Sequence, residues 1–351
     1  MKDLLSPLLM LFSSSSSPSS PTTKVQREFR FVPYGESFVD DASTNNKNRP
    51  TISCDGRIPG GVTLELTHWT GNETPDRWYA DTSTEMALNL AQATTTTAVN
   101  DDADVFPNAL VLNNHYDTDG VLSVWACLHP QTALRYKDLL RQGAEAGDFG
   151  EWPSDRGVKL NWIVENFHTT NDEQAYAAVL PELEQILQDV TENDGQGYKD
   201  LWQADMENAL ASWNDFRNGK ISLARGPGKI VLVDEKAAAT APMDPHALHK
   251  ALQETNLWSD TTRILQRNSN NSYRYSKIGH GWVQRLVKRP MVPPANAKAI
   301  VQALNAACGD HAVWKASGAG LTSICQSGAP TDDLTSAQVM EYLYEADPGA
   351  Q

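Results

Sequence analysis

The residues best suited to chemistry lie in the segment His115-Tyr-Asp117-Thr-Asp119-Gly120. It follows Ala109-Leu-Val-Leu112, an apolar run typical of a strand buried on both faces of a parallel sheet. Residues two apart on extended chain point the same way, and ligands bind at the carboxyl ends of parallel strands. His115, Asp117 and Asp119 are therefore candidate metal ligands, and this set suits Mn²⁺, Mg²⁺ or Fe²⁺. The alternative is an acidic turn in which an Asp caps the next helix.

This segment resembles the first motif of the DHH phosphoesterases, which has the form His-x-Asp-x-Asp-Gly. That superfamily includes RecJ-like nucleases, oligoribonucleases and family II pyrophosphatases. The resemblance implies two metal ions, Mn²⁺ or Mg²⁺, bridged by carboxylates and activating a water for in-line attack on phosphorus. It predicts a hydrolase of phosphoesters or phosphoanhydrides in which His115, Asp117 and Asp119 bind metal and Asp119 is essential for catalysis.

A second segment is similar to the third DHH motif, in which Asp-His-His precedes an Asn and a Ser/Thr-rich stretch opens a helix. Aligned on Asn72, the signature reads Thr67-His68-Trp69, so His68 alone is retained. The segment also precedes the His-x-Asp-x-Asp segment instead of following it. The resemblance thus implies a permuted and degraded site with His68 near the leaving group; the alternative is an accidental likeness.

Three further carboxylates are candidates to complete a metal site. Asp55 lies at a possible strand end, Asp148 follows a predicted helix, and Asp81 precedes Thr82-Ser-Thr84. The DHH pattern places a lone metal-bridging Asp after a strand, and the resemblance offers Asp55 or Asp148 for that role. For each carboxylate the alternative is an ordinary turn or cap residue.

The C-terminal part offers two candidate phosphate-binding features. The Gly-rich stretch Ser317-Gly318-Ala-Gly320 can cradle phosphate through backbone N–H groups. In many DHH proteins a Gly-rich loop in a second domain grips the substrate, although the Gly-Gly-Gly-His string typical there is absent. The second feature is a basic cluster, which is either a phosphate clamp that includes Arg274 or a set of solvated strand charges. The cluster comprises Arg274, Lys277, Arg285, Lys288 and Arg289.

Two other functions stay open. The first is a haloacid-dehalogenase-type phosphatase, in which Asp117 forms an aspartyl phosphate and Asp119 is the general acid. His115 argues against it, because an apolar residue at that position would suit such a nucleophile loop better. The second is a non-catalytic nucleotide- or metal-binding protein, which the presence of Thr67 and Trp69 in place of ligands supports.

The alternation of strands and helices predicts an α/β fold, with a mostly parallel sheet flanked by helices and a smaller C-terminal α+β domain. We predict a disordered leader over 1–27, a metal-binding α/β domain over 28–222 and a substrate-side domain over 223–351. Gly281-Trp-Val283 is predicted to belong to a strand. Over roughly 29–345 the chain also resembles an uncharacterised conserved protein family with the same Leu-Glu-Leu-x-His-Trp and His-x-Asp-x-Asp-Gly strings, which implies no activity.

Charge and composition limit the partners. The 351 residues carry 44 acidic and 29 basic side chains, a net charge of −15. That field disfavours long nucleic acids and anionic membranes, and no apolar window is long enough to span a bilayer. We therefore expect a small phosphorylated metabolite or nucleotide as substrate and a cytoplasmic protein with four reduced cysteines. Organelle targeting through the Ser-rich leader is the alternative, and the oligomeric state stays open.

Overall fold

The predicted metal-binding segment His115–Gly120 follows a strand of the first sheet. The computed structural model describes residues 25–39, 49–95, 106–168, 170–237, 239, 242–269, 272–308, 313–317, 323–327 and 335–351. Four short strands form a wholly parallel sheet in which the predicted buried strand has a neighbour on each side. The strands, in the spatial order β1-β4-β2-β3, are β1 (Glu28–Phe31), β2 (Thr51–Cys54), β3 (Leu64–Leu66) and β4 (Leu110–Asn113).

Among the described residues of this part of the chain, seven α-helices cover the sheet, and a large apolar core lies between them. Trp125, Met86 and Leu122 are almost fully buried in that core. The helices are α1 (Ser83–Thr95), α2 (Thr118–Leu128), α3 (Pro130–Arg135), α4 (Lys137–Phe149), α5 (Asp155–Asn166), α6 (Asp172–Asn193) and α7 (Lys199–Arg217).

The second sheet is mixed and has six strands, with one parallel pairing among antiparallel ones. The α/β prediction is therefore confirmed, with a parallel sheet first and an α+β arrangement after it. Along the chain, the strands are β5 (Ile221–Arg225), β6 (Ile230–Glu235), β7 (Arg263–Arg267), β8 (Tyr273–Lys277), β9 (Val313–Ser317) and β10 (Ser323–Ser327). Their spatial order in the sheet is β5-β6-β7-β8-β10-β9. The helices of this part are α8 (Pro245–Glu254), α9 (Ala297–Cys308) and α10 (Ser336–Ala346).

The strand predicted around Gly281-Trp-Val283 is wrong, since Gly279–Trp282 forms a single 3-10 turn. The turn arises because β8 ends against the last turn of α4. A Cβ atom on Gly279 would lie 1.9 Å from the carbonyl oxygen of Phe149, so only glycine allows this approach. The close contact brings Trp282 to the edge of the first sheet.

The change from one sheet to the other occurs over residues 218–220, between α7 and β5. The division into two domains at 222 and 223 stays a prediction. Residues 1–24 of the predicted leader lie outside the described residues, whereas the Arg27 side chain is buried and donates a hydrogen bond to the Cys127 carbonyl. Within the described ranges, no helix has the length and apolarity needed to cross a membrane.

Candidate metal centre

Three candidate ligands follow three neighbouring strands of the parallel sheet. Asp55 comes directly after β2, and His68 and His115 come two residues after β3 and β4. Because these strands are parallel, their carboxyl ends meet at one edge, where open α/β sheets bind ligands. The fold thus places an acid and two imidazoles from distant chain segments side by side.

The start of α2 adds two carboxylates to the same edge. Asp117 caps the helix, since its Oδ1 accepts a hydrogen bond from the Gly120 amide at 2.7 Å. Its other oxygen, Oδ2, lies 3.1 Å from His115 Nε2. Asp119 is fully buried and accepts hydrogen bonds from the Ser83 and Thr84 amides at the N-terminus of α1, at 2.7 and 2.8 Å. The capping role therefore holds for Asp117, but it uses one carboxylate oxygen and leaves the other facing His115.

Asp148 reaches the cluster from helix α4 and not from a strand end. The sequence places it after a helix, but it lies within the last turn of α4, whose left-handed cap is Gly150. Its Oδ2 lies 3.0 Å from His68 Nε2. The helix end therefore closes the cluster over the edge of the sheet.

Asp55 connects two groups of potential ligands. Its Oδ1 lies 3.3 Å from His68 Nε2, and its Oδ2 lies 3.3 Å from His115 Nε2. In each group, one atom from every residue lies within 4.8 Å of the others. We call the groups the inner set, which is Asp55, His68, Asp119 and Asp148, and the outer set, which is Asp55, His115 and Asp117.

The donor atoms fit divalent cations. Octahedral ligands at 2.0–2.1 Å from an ion are about 3.0 Å apart when adjacent and about 4.2 Å apart when opposite, which these spacings accommodate. Although several contacts are close, three of the buried atoms have no partner in hydrogen-bonding geometry among the described residues. They are Asp55 Oδ2, His68 Nε2 and Asp148 Oδ2. Buried acceptors without donors are costly unless a cation satisfies them.

The charges of the buried carboxylates also indicate a cation site. No described lysine or arginine forms an ion pair with the four carboxylates of the two sets, whose ion-pairing partners among the described residues are all histidines. Burial and the neighbouring Asp55 and Asp117 charges raise the pKa of Asp148 to about 7. Burial and the charges of Asp148 and Asp55 raise the pKa of Asp119 well above its usual range. Two divalent cations would match four carboxylate charges, so this buried Asp/His cluster can hold metal.

Both histidines present Nε2 to the cluster. His68 Nδ1 lies 2.6 Å from the Asp81 carbonyl oxygen, and His115 Nδ1 lies 3.0 Å from Asn114 Oδ1. Since a carbonyl oxygen only accepts, each Nδ1 carries a proton and Nε2 of the neutral ring keeps a lone pair for metal. Without metal, burial opposes protonation of His115, but hydrogen bonds to Asp117 and Asp55 raise its pKa to about 11.

Asp81 supports the centre through its backbone and belongs to neither set. Its carboxylate accepts hydrogen bonds from the Lys288 amide and from Arg289 Nη1, at 3.2 and 2.9 Å. The Arg289 guanidinium also binds both oxygens of Glu151 at 2.7 and 2.6 Å. The sequence did not reveal this support, since the paired residues Asp81 and Arg289 are 208 positions apart.

Two tryptophans line the histidines. The Trp282 ring lies edge-on to His68 at 4.8 Å, and the Trp69 ring lies 5.2 Å from His115. The two indoles are 6.4 Å apart. Trp69 therefore lines the centre, whereas the sequence analysis considered it only as a replacement for a metal ligand. The side chains of His115 and Asp117 are 20% and 34% exposed, so the outer set is open to solvent.

The predicted substrate-binding residues are dispersed. Arg274 lies on β8 and lines a cavity beside the centre. Ser317 ends the edge strand β9, with β10 between it and β8, and Gly318 and Gly320 lie outside the described residues. Of the other basic residues, Arg285 pairs with Asp76, Lys288 with Glu85 and Arg289 with Asp81 and Glu151.

A protein-family model described as "Family of unknown function (DUF6687)" matches residues 27–346. No significant match was found among curated proteins.

Proposed function

Since the chain belongs to the DUF6687 family, whose function is unknown, we propose an activity from the site itself. The protein is a metal-dependent hydrolase of a phosphoester or phosphoanhydride in a small phosphorylated substrate. It uses two divalent cations, with Mn²⁺ favoured over Mg²⁺ because each set includes an imidazole. The resemblance of the His115–Gly120 segment to the first DHH motif supports the same reaction.

One observation carries the proposal: the two oxygens of Asp55 face different histidines, each at 3.3 Å. A carboxylate in that position would hold an ion through each oxygen, and a pair of neighbouring ions is what two-metal hydrolysis of phosphoryl groups uses. When bound, the ions lower the pKa of an attacking water and neutralise charge on the phosphoryl oxygens. Asp55 would help to hold an ion in each set, and Asp148 would help to hold one in the inner set alone.

The other residues of the two sets have different roles in the proposed reaction. Asp119 is anchored by the two α1 amides, so it holds the inner set rigidly and is unsuited to donate a proton. His68 is completely buried with Nδ1 bound to a carbonyl, which makes it a ligand in this proposal instead of a leaving-group acid. The partly exposed His115 and Asp117 form the face at which the phosphoryl group enters.

These roles also separate the alternatives. A dehalogenase-type phosphatase needs Asp119 as a mobile general acid, which the two backbone hydrogen bonds oppose. Asp117 is one-third exposed, and such an opening serves a binding protein as well as an enzyme, so only turnover separates these two. The geometry therefore favours the two-ion hydrolase over the dehalogenase-type phosphatase.

The test measures hydrolysis by the full chain after removal of metal and return of Mn²⁺ or Mg²⁺. Substrates are p-nitrophenyl phosphate, bis(p-nitrophenyl) phosphate and pyrophosphate, which represent a monoester, a diester and an anhydride. We expect Mn²⁺-dependent turnover of at least one and a loss of at least about 100-fold in Asp119→Asn. Asp200→Asn, which removes an exposed carboxylate from the first turn of α7, is the matched control and retains activity.

Three outcomes contradict the proposal. Phosphate trapped covalently on Asp117 supports the dehalogenase-type mechanism. Tight Mn²⁺ binding without turnover of any of the three substrates supports a binding protein. Metal-independent turnover that survives in Asp119→Asn removes the centre from the reaction.

A further inference from the structure

A cavity of about 620 Å³ lies beside the metal centre, between the end of α4, helix α8 and the second sheet. Its volume is within the range of small-molecule sites. Much of its lining is apolar or aromatic, with Leu248, Leu252, Trp258, Ile264 and Ile278 among the side chains. The cavity therefore offers a flat, apolar ligand extensive contact.

The cavity differs in charge from the rest of the molecule. Arg274 and Lys277 line it, and none of its lining residues is an aspartate or glutamate. This absence is notable in a chain whose net charge is −15. Lys277 Nζ donates to the Gly281 carbonyl at 2.9 Å, and no carboxylate of the described residues forms an ion pair with either cation. The guanidinium of Arg274 is thus available to an anionic group of a ligand.

The cavity and the metal centre share a wall. Phe149 and Trp282 line the cavity, Phe149 follows the inner-set ligand Asp148, and Trp282 lies edge-on to His68. From Trp282 the aromatic surface continues to Trp69 and His115. The cavity and the metal centre are therefore neighbours across these aromatic side chains.

We propose that the cavity binds the non-reacting part of the substrate, and that this part is an aromatic group carrying a second anionic substituent. Trp258 and its neighbours contact the ring, and Arg274 pairs with the anion. The inference rests on the proposed function only for identifying the ligand as the substrate. The recognition chemistry follows from the cavity alone.

The test uses two fluorescent probes that share an aromatic body. 1-Anilinonaphthalene-8-sulfonate carries an anion, and N-phenyl-1-naphthylamine lacks it. Binding is titrated in the metal-free full chain, so that the measurement is independent of turnover. We expect the sulfonate to bind at one site and Arg274→Gln to weaken it about tenfold without changing the affinity for the neutral probe. Arg225→Gln, on β5 and paired with Asp260, is the matched control.

A second variant, Ser276→Phe, fills the cavity from β8 and should abolish binding of both probes. Melting curves establish that each variant is folded. Sulfonate affinity that is unchanged in Arg274→Gln, or binding that persists in Ser276→Phe, overturns the proposal. If probe binding follows the prediction but no phosphorylated substrate is hydrolysed, the proposed function fails and the cavity remains a site for aromatic anions. If hydrolysis occurs and the probes fail, only the cavity proposal is lost.

Discussion

Nδ1 of His68 lies 2.6 Å from the carbonyl oxygen of Asp81. This contact fixes the imidazole so that Nε2 faces the inner set. The same residue, Asp81, is held by its carboxylate to Arg289, which lies 208 positions after Asp81, so the orientation of the candidate ligand His68 depends on this distant guanidinium. His68 and Arg289 are therefore connected through one aspartate.

Removal of the Arg289 guanidinium is expected to lower the stability of the fold. Arg289→Ala leaves the buried carboxylates of Asp81 and Glu151 without their counter-charge, which typically costs about 3–5 kcal/mol. We expect a fall of that order in the free energy of unfolding measured in urea, and a lower kcat with little change in KM where the folded variant is assayed. Arg285→Ala, which breaks an exposed pair with Asp76, should cost less than about 1 kcal/mol. Equal losses in the two variants would exclude the positioning role of Arg289.

A second prediction concerns Asp148, whose burial and acidic neighbours raise its pKa to about 7. A carboxyl group whose folded-state pKa lies above its unfolded value of 3.8 costs stability progressively as pH rises from about 3.8, and the full cost is present above its folded-state pKa. Asp148→Asn should therefore stabilise the metal-free protein at pH 8, by roughly 1–4 kcal/mol. The same variant should lose most of the rise in melting temperature that Mn²⁺ produces in the wild type.

Thermal melts in EDTA and in Mn²⁺ check both effects, with Asp200→Asn as the exposed control. A metal-free Asp148→Asn protein less stable than the wild type would show that the carboxylate has a structural role instead. Full retention of the Mn²⁺ effect would remove Asp148 from the inner set.

The third prediction concerns acid stability away from the metal centre. His249 is buried, accepts a hydrogen bond from the Trp152 amide at 2.9 Å, and lies against Trp258. Burial, with the nearby Arg289 charge, lowers its pKa to about 3. The unfolded chain has a pKa near 6.5 at this position and takes up a proton first, so stability present above pH 6.5 is lost as pH falls.

His249→Gln should remove this loss, which amounts to at most about 2 kcal/mol between pH 7 and pH 5. The measurement is the free energy of unfolding of the metal-free protein at pH 7, 6 and 5. His168→Gln, at a side chain that is 42% exposed, serves as the control. An identical pH slope in wild type and His249→Gln would contradict a buried neutral imidazole.

The part of the candidate centre that follows strand ends was predictable from the sequence. His115, Asp117 and Asp119 were identifiable because one strand end and one helix start bring them together within five residues. Asp55 was recognisable as a candidate by the same logic on β2, whereas His68 became one only through its likeness to the third DHH motif. Local sequence therefore contains most of the candidate ligand set, since a parallel sheet aligns its strand ends.

The supporting residues were not predictable in the same way. Trp282 was assigned to a strand because aromatic and β-branched neighbours favour one, yet contact with the α4 end folds it into a turn. Arg289 appeared only as one of several basic residues, and its partners Asp81 and Glu151 lie far away in sequence. Long-range ion pairs have no local signature, so sequence patterns alone could not separate Arg289 from Arg274.

The most direct test of the central claim, that Asp55 bridges two cations, is the number of Mn²⁺ ions bound per chain, measured by equilibrium dialysis with metal analysis. We predict two ions for the wild type and one for Asp148→Asn and for His115→Gln, which each weaken a different set. Asp55→Asn should bind at most one ion, with affinity reduced at least about tenfold. A wild-type chain that binds no Mn²⁺ at millimolar concentration, or an Asp55→Asn chain that binds two ions with unchanged affinity, would contradict the account.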